Sequence, residues 1–177
     1  MAIDGHWIPL AWQGDVFADF QPFAPGVDDS GAVVFQASLN DGGSGVFLAH
    51  DGALQTLFMA AADETVASHP HRNARGDTCV YLTRTDGSSA LLLLDETGCR
   101  VVVDSRDGVL SAIGPLGPVI DADGGIAFRA ALRDGRAAIC AWSRGEVTVL
   151  ARTGERFSAF HGLPLPAGAG GVVFRAD

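Results

Sequence analysis

Lysine is absent from this chain, tyrosine occurs once, and no basic residue other than histidine precedes Arg72. The first 71 residues carry nine acidic side chains, and the rest sets twelve arginines against twelve acids. Neutralising a phosphate backbone needs a basic stripe, so nucleic acid is not expected as a partner. Arginine without lysine, beside abundant Ala and Gly, reads as the codon bias of a GC-rich bacterial genome. No apolar run approaches the roughly 20 residues that span a bilayer, so no membrane partner is expected. The start, Met1-Ala2-Ile3-Asp4-Gly5-His6-Trp7, lacks the basic segment and long apolar run of a secretory signal, which gives a cytoplasmic expectation. Three cysteines without C-x-x-C spacing indicate neither a disulfide framework nor a zinc site. No cofactor is expected.

What is present is enough for one domain. The 177 residues are 47% hydrophobic and 19% charged, with 23 glycines scattered along the chain, a composition that folds. One phrase recurs four times: Asp28 to Phe35, Asn73 to Tyr81, Asp121 to Phe128 and Ala167 to Phe174. Its key glycines, Gly31, Gly76, Gly124 and Gly170, are spaced 45, 48 and 46 residues apart. Pro25, Pro70 and Pro118 stand six residues before the first three glycines, and the turns Asp41-Gly42, Asp86-Gly87 and Asp134-Gly135 follow them by ten. An Asx side chain three residues ahead of a glycine can accept from nearby backbone N–H groups, and the glycine takes the positive φ that closes the turn.

Each phrase therefore starts a strand, and two short apolar runs after it supply two more. The expectation is an all-β, propeller-like or barrel-like domain of about four antiparallel three-stranded repeats, with a fourth, irregular strand allowed for. The repeats fall near 24–67, 68–113 and 114–161. Residues from Ile8 to Phe20 align with Thr148 to Phe160, so residues 1–23 and 162–177 are expected to form one split repeat, which lacks a second strand. In this alignment Cys79 and Cys140 fall on apolar positions and read as small buried hydrophobes. Cys99, aligned with Ala53 and Glu146, has no such assignment.

The N-x-x-G-x-V-A-F phrase with its following D-G turn resembles the bacterial tandem-repeat proteins named after that motif. The likeness covers nearly the whole chain. Asn73 keeps the leading Asn, Asp28 and Asp121 replace it conservatively, and Ala167 abandons it. The resemblance implies propeller-type β units and attaches no catalytic residue or cofactor to the motif.

Chemical motifs are few. His69-Pro70-His71 offers two imidazoles but no third ligand at a familiar spacing, and it reads as an exposed loop. Asp121-Ala122-Asp123-Gly124 opens like a calcium loop without the closing Glu and reads as the phrase's own turn. Gly42-Gly43-Ser44-Gly45 has no helix or Lys to make it a phosphate loop.

The best binding candidates share one offset: Gln36, Tyr81, Arg129 and Arg175 each lie five residues past a key glycine, and two arginines there can hold a carboxylate. Trp7 and Trp12, beside Phe17, Phe20 and Phe23, are candidates for an apolar groove. The functional expectation is a non-catalytic binding module for a peptide or protein segment, of the kind that holds precursor peptides for modifying enzymes. The peptide would pair with an open strand edge at Val172 to Ala176 or Ile8 to Trp12. An enzyme with a site assembled across loops, using His69 and His71, and a module that dimerises through its end strands are the rivals.

Overall fold

The computed structural model describes residues 9–168 and 170–177, together with the backbone of Ala2–Ile3 and His6–Trp7. Every regular element among them is a strand. β1 (Ala2–Ile3) and β2 (His6–Trp7) pair with each other. The first sheet comprises β3 (Phe17–Asp19), β4 (Gly26–Val27), β5 (Val33–Leu39), β6 (Ser44–His50) and β7 (Ala53–Met59). The second holds β8 (Glu64–Val66), β9 (His71–Arg72), β10 (Thr78–Arg84), β11 (Ser89–Asp95) and β12 (Gly98–Asp104). The third holds β13 (Leu110–Ile113), β14 (Val119–Ile120), β15 (Ile126–Leu132), β16 (Ala137–Ser143) and β17 (Glu146–Arg152). β18 (Phe160–Pro166) and β19 (Val172–Ala176) close the chain as a two-stranded sheet.

The three full sheets share one plan. β5, β10 and β15, which carry the phrase, pair on one edge with two short strands and on the other with a hairpin partner, and all pairings are antiparallel. Each full sheet is thus four strands wide with its first strand broken, not three-stranded, and the fourth irregular strand allowed for is this broken one. The break falls just ahead of Pro25, Pro70 and Pro118, whose rings remove a ladder N–H. The sheets accordingly start at residues 17, 64 and 110 rather than near 24, 68 and 114. In the last sheet Pro164 stands at the same offset before Gly170, inside β18, whose ladder with β19 slips register between His161 and Leu165.

Neighbouring sheets pack in sequence, which gives the propeller-like arrangement. The inner strands β4, β9, β14 and β18 touch in succession, while β7, β12 and β17 form exposed outer edges. Between the first and second sheets lie Val34, Val46, Val66, Val80, Leu82 and Leu92. Between the second and third lie Cys79, Tyr81, Leu91, Ile126, Phe128 and Cys140. Alternation along each phrase strand sorts these contacts: one set of side chains faces the preceding sheet and the other the following sheet. The same bulge recurs in all three hairpins, at Val46/Phe47, Leu91/Leu92 and Ile139/Cys140.

No pairing between the two halves of the split repeat is present among the described residues. Among the described residues β1 pairs only with β2, and β19 only with β18. β3 instead joins the first sheet, because Phe17 packs on Phe35 and Phe47 with ring centroids 5.6 and 4.9 Å away. The alignment behind the expectation is still visible in the matching bridges Gln13↔Phe17 and Thr153↔Phe157.

Candidate functional site

The phrase turns form a built-in network. Asp28 Oδ1 accepts from the N–H of Ser30 and Ala32, Asn73 Oδ1 from Arg75 and Asp77, and Asp121 Oδ1 from Asp123 and Gly125, all at 2.7–3.1 Å. Gly31, Gly76, Gly124 and Gly170 have φ between 77° and 90°, as the turn requires. Successive turns are tied together: Arg72 Nε donates to Asp28 Oδ2 at 2.8 Å, and Asn73 Nδ2 donates to the Asp121 carbonyl at 2.9 Å. Burial pushes the Asp28 carboxyl up, but the bonds from Ser30, Arg72 and the Ala32 backbone outweigh it and hold it at about 2. Ala167 has no side-chain acceptor, and among the described residues the last turn is held by two backbone bonds, Ala167 N–H to Gly171 O and Gly171 N–H to Gly168 O.

The proposed binding quartet does not converge. Its members occupy the same position in four sheets, each facing the following sheet. Gln36 is buried, and its Nε2 donates to the Val66 carbonyl of the second sheet at 2.9 Å while its Oε1 has no partner. Tyr81 is buried against the third sheet, its hydroxyl turned toward the Arg129 backbone without a well-formed hydrogen bond, and burial raises its pKa. Arg129 is half-buried and Arg175 exposed. The difference follows from position in the row: only after the last sheet does no described residue cover this face. Trp12 is 59% exposed and flanks a 280 Å³ hollow between residues 9–12 and the β6–β7 pair. The Trp7 side chain lies outside the described residues. Phe17, Phe20, Phe35 and Phe47 form a packed cluster and not a groove.

The other motifs resolve structurally. His69 packs its ring on Gly117, and His71 Nδ1 accepts weakly from the Ile120 N–H at 3.4 Å, so this segment lies between sheets instead of in an exposed loop. Burial lowers both imidazole pKa values, with the charge of His69 adding to the effect on His71. No group of three or more His, Cys, Asp or Glu side chains is placed to hold a metal among the described residues. Cys79 and Cys140 are buried and Cys99 is exposed; burial raises the Cys140 thiol to about 12. A broad hollow of about 1540 Å³ opens between the outer strands and the phrase turns. Half of its charged lining is paired, as in Arg72–Asp28, Arg75–Asp77 and Arg100–Asp95, while Glu96, Asp121, Asp123, Arg144 and Glu146 form no ion pair among the described residues.

The feature that remains is the edge of β19. β5, β10 and β15 are hydrogen-bonded on both edges, whereas β19 is bonded on one among the described residues. The Gly171 carbonyl accepts from Ala167, and Asp177 donates to Ala159 and accepts from Ser158, all toward the β18 side. By strand alternation, Val172, Phe174 and Ala176 therefore turn their N–H and C=O groups outward. Val173 is 62% exposed and Leu165 50%, while Phe174 packs on Phe157 and Phe160 with centroids 5.5 Å apart.

Ser44 and Ser89 were not singled out by sequence. Ser44 Oγ accepts from the Val66 N–H and Ser89 Oγ from the Ile113 N–H, each tying a sheet to its successor. Their equivalence at the start of β6 and β11 is the available signal; Ala137 breaks it in the third sheet.

Comparison with known family models and with curated proteins finds no match. Among solved structures, the chain is similar to a crystal structure of regucalcin, a calcium-binding protein from Agrobacterium tumefaciens, at 18% identity and a TM-score of 0.44. The match covers 80% of this chain and 48% of that one, so the chain spans about half its length. Among the described residues no helix is long and apolar enough to cross a membrane.

Proposed function

We propose that this protein is a non-catalytic, cytoplasmic bacterial binding module, akin to the N-x-x-G-x-V-A-F repeat proteins, that takes up an extended segment of another polypeptide as an added strand beside β19. A precursor peptide held for a modifying enzyme is one such segment. The observation that carries this reading is β19, bonded on one edge among the described residues, whose three counterparts each have a hairpin partner on the matching edge. An extended peptide satisfies outward N–H and C=O groups with main-chain bonds, the mode known as β-augmentation. The strand is already held in register by β18, so the chain gives up little conformational freedom on binding.

The test is calorimetric titration with the heptapeptide Ser-Gly-Val-Phe-Leu-Ala-His, the sequence of β6, which occupies the matching place beside β5. Binding is expected, and Val172→Pro should weaken it about tenfold by deleting one outward N–H at the strand's first residue, where proline is tolerated. Light scattering decides the alternative in which a second copy of the chain covers the edge. Undiminished affinity in Val172→Pro, or a stable dimer that excludes the peptide, would remove the proposal.

A further inference from the structure

We infer that the guest strand is read at alternate positions, as an antiparallel segment with a small residue opposite Ala176, a carboxylate opposite Arg175 and an apolar residue opposite Phe174. The inference rests on β19 being the docking edge and names what that edge selects.

The three hairpins supply the register. The positions opposite Ala37, Leu82 and Ala130, the counterparts of Ala176, hold Gly45, Ala90 and Ala138. All three are small. A Cβ on Gly45 would stand 2.7 Å from the Phe58 carbonyl and 3.0 Å from the Phe47 ring, and Ala90 and Ala138 are fully buried. The positions opposite Phe35, Val80 and Phe128, the counterparts of Phe174, hold Phe47, Leu92 and Cys140, all apolar and buried. These two sites share the face turned toward the preceding sheet. In the last unit that face is closed by β15 and β16 against β18 and by the Phe157, Phe160 and Phe174 rings. Val172, Phe174 and Ala176, the β19 side chains on that face, are half-buried.

The intervening position differs. Opposite Gln36, Tyr81 and Arg129 stand Val46, Leu91 and Ile139, aliphatic because each is buried. The β19 counterpart of that face is open, carries exposed Arg175, and among the described residues gives this guanidinium no carboxylate within 4 Å. His161, its neighbour on β18, is engaged instead with Asp177 at 2.8 Å. A carboxylate on the guest, directly across the ladder, completes an opposite-charge cross-strand pair. The chain's own strands need an aliphatic residue here, whereas the guest gains from an acid.

Three heptapeptides separate the parts: Ser-Gly-Val-Phe-Leu-Ala-His, the same with Glu in third place, and the same with Leu in second place. Calorimetry is expected to rank the Glu peptide two- to fivefold tighter than the parent, and the Leu peptide at least tenfold weaker. Arg175→Glu, an exposed substitution, should invert the first preference and favour a Lys peptide. Failure of all peptides to bind would overturn the docking edge itself and this inference with it. Equal binding by all of them would leave the edge standing and overturn the pattern, as would a Glu preference that survives Arg175→Glu.

Discussion

The second sheet and the β18–β19 pair are built from the same phrase and differ in what covers them. β10 and β11 are buried on both faces almost throughout, whereas β19 alternates half-buried and exposed residues. Val34 and Cys79 are wholly buried and Ala127 nearly so, yet their counterpart Val173 is 62% exposed. A repeat therefore fixes backbone and register by itself, while the burial of each side chain depends on its neighbours. It follows that a position's chemistry should be judged by its place in the row of sheets. Gln36 and Tyr81 serve the joints between sheets, and Arg175 faces solvent.

The sharpest break of this comparison is a pair of truncations at adjacent steps of the phrase. Phe128→Ala removes a fully buried ring between the second and third sheets and should cost about 3–5 kcal/mol. Val173→Ala, on the open face, should stay within about 0.5 kcal/mol. Urea unfolding of both variants measures the contrast, and similar losses would mean that the last sheet is covered as tightly as the second.

A smaller effect comes from acid. Burial raises the Asp104 carboxyl, but bonds from Arg106 and Arg84 more than compensate and hold it at about 2, as Asp28 is held. A folded pKa below the ordinary 3.8 stabilises the fold above pH 3.8, and that stability is lost as pH falls toward 2; each carboxylate contributes about 2 kcal/mol. His69 and His71 are also lowered by burial, so their contribution is full above pH 6.5 and declines below it, as the unfolded chain binds protons first. Unfolding free energy should thus fall in two stages on acidification. His71→Gln should flatten the upper stage and leave the lower one intact. Asp28, Asp104, His69 and His71 all lie outside β18 and β19, so both stages report on the full sheets.

Much of this was legible in the residues. The Asx-to-glycine spacing marks three turns because one side-chain oxygen reaches the N–H groups two and four residues on, and the glycine spacing alone marks the fourth. Period-two alternation then marks the strands that follow. The inner strands were less visible: β4, β9 and β14 are two residues long, too short for any periodicity, and only Pro25, Pro70 and Pro118 flag them. The joints were silent as well. Nothing local says that Arg72 reaches Asp28 across 44 residues, or that the Ser44 hydroxyl meets the next sheet. The missing second strand of the fourth copy points to an edge at β19 that is bonded on one side, as it is among the described residues, and among those residues no part of 1–23 pairs with it, while Phe17 serves the first sheet's own aromatic cluster.

The finest distinction between the two regions is a single atom group in the last turn. Asn73 and Asp121 each accept two backbone N–H bonds that Ala167 leaves unmade, although Ala167 N–H still donates to the Gly171 carbonyl at 2.9 Å as in the other copies. The last turn otherwise differs in its backbone, with a φ of 73° at Gly168 and a bond from the Gly171 N–H to the Gly168 carbonyl, so Ala167→Asp gains its acceptors only by drawing that backbone into the shape of the other three and should stabilise the protein by no more than about 1 kcal/mol. Asn73→Ala should cost more than that amount, since Asn73 Nδ2 also donates to the Asp121 carbonyl across the joint between sheets. Thermal unfolding of the two variants reads both values. No gain would mean that the last turn keeps its own geometry, and the register transferred from the hairpins to the guest strand would then rest on the phrase strand alone.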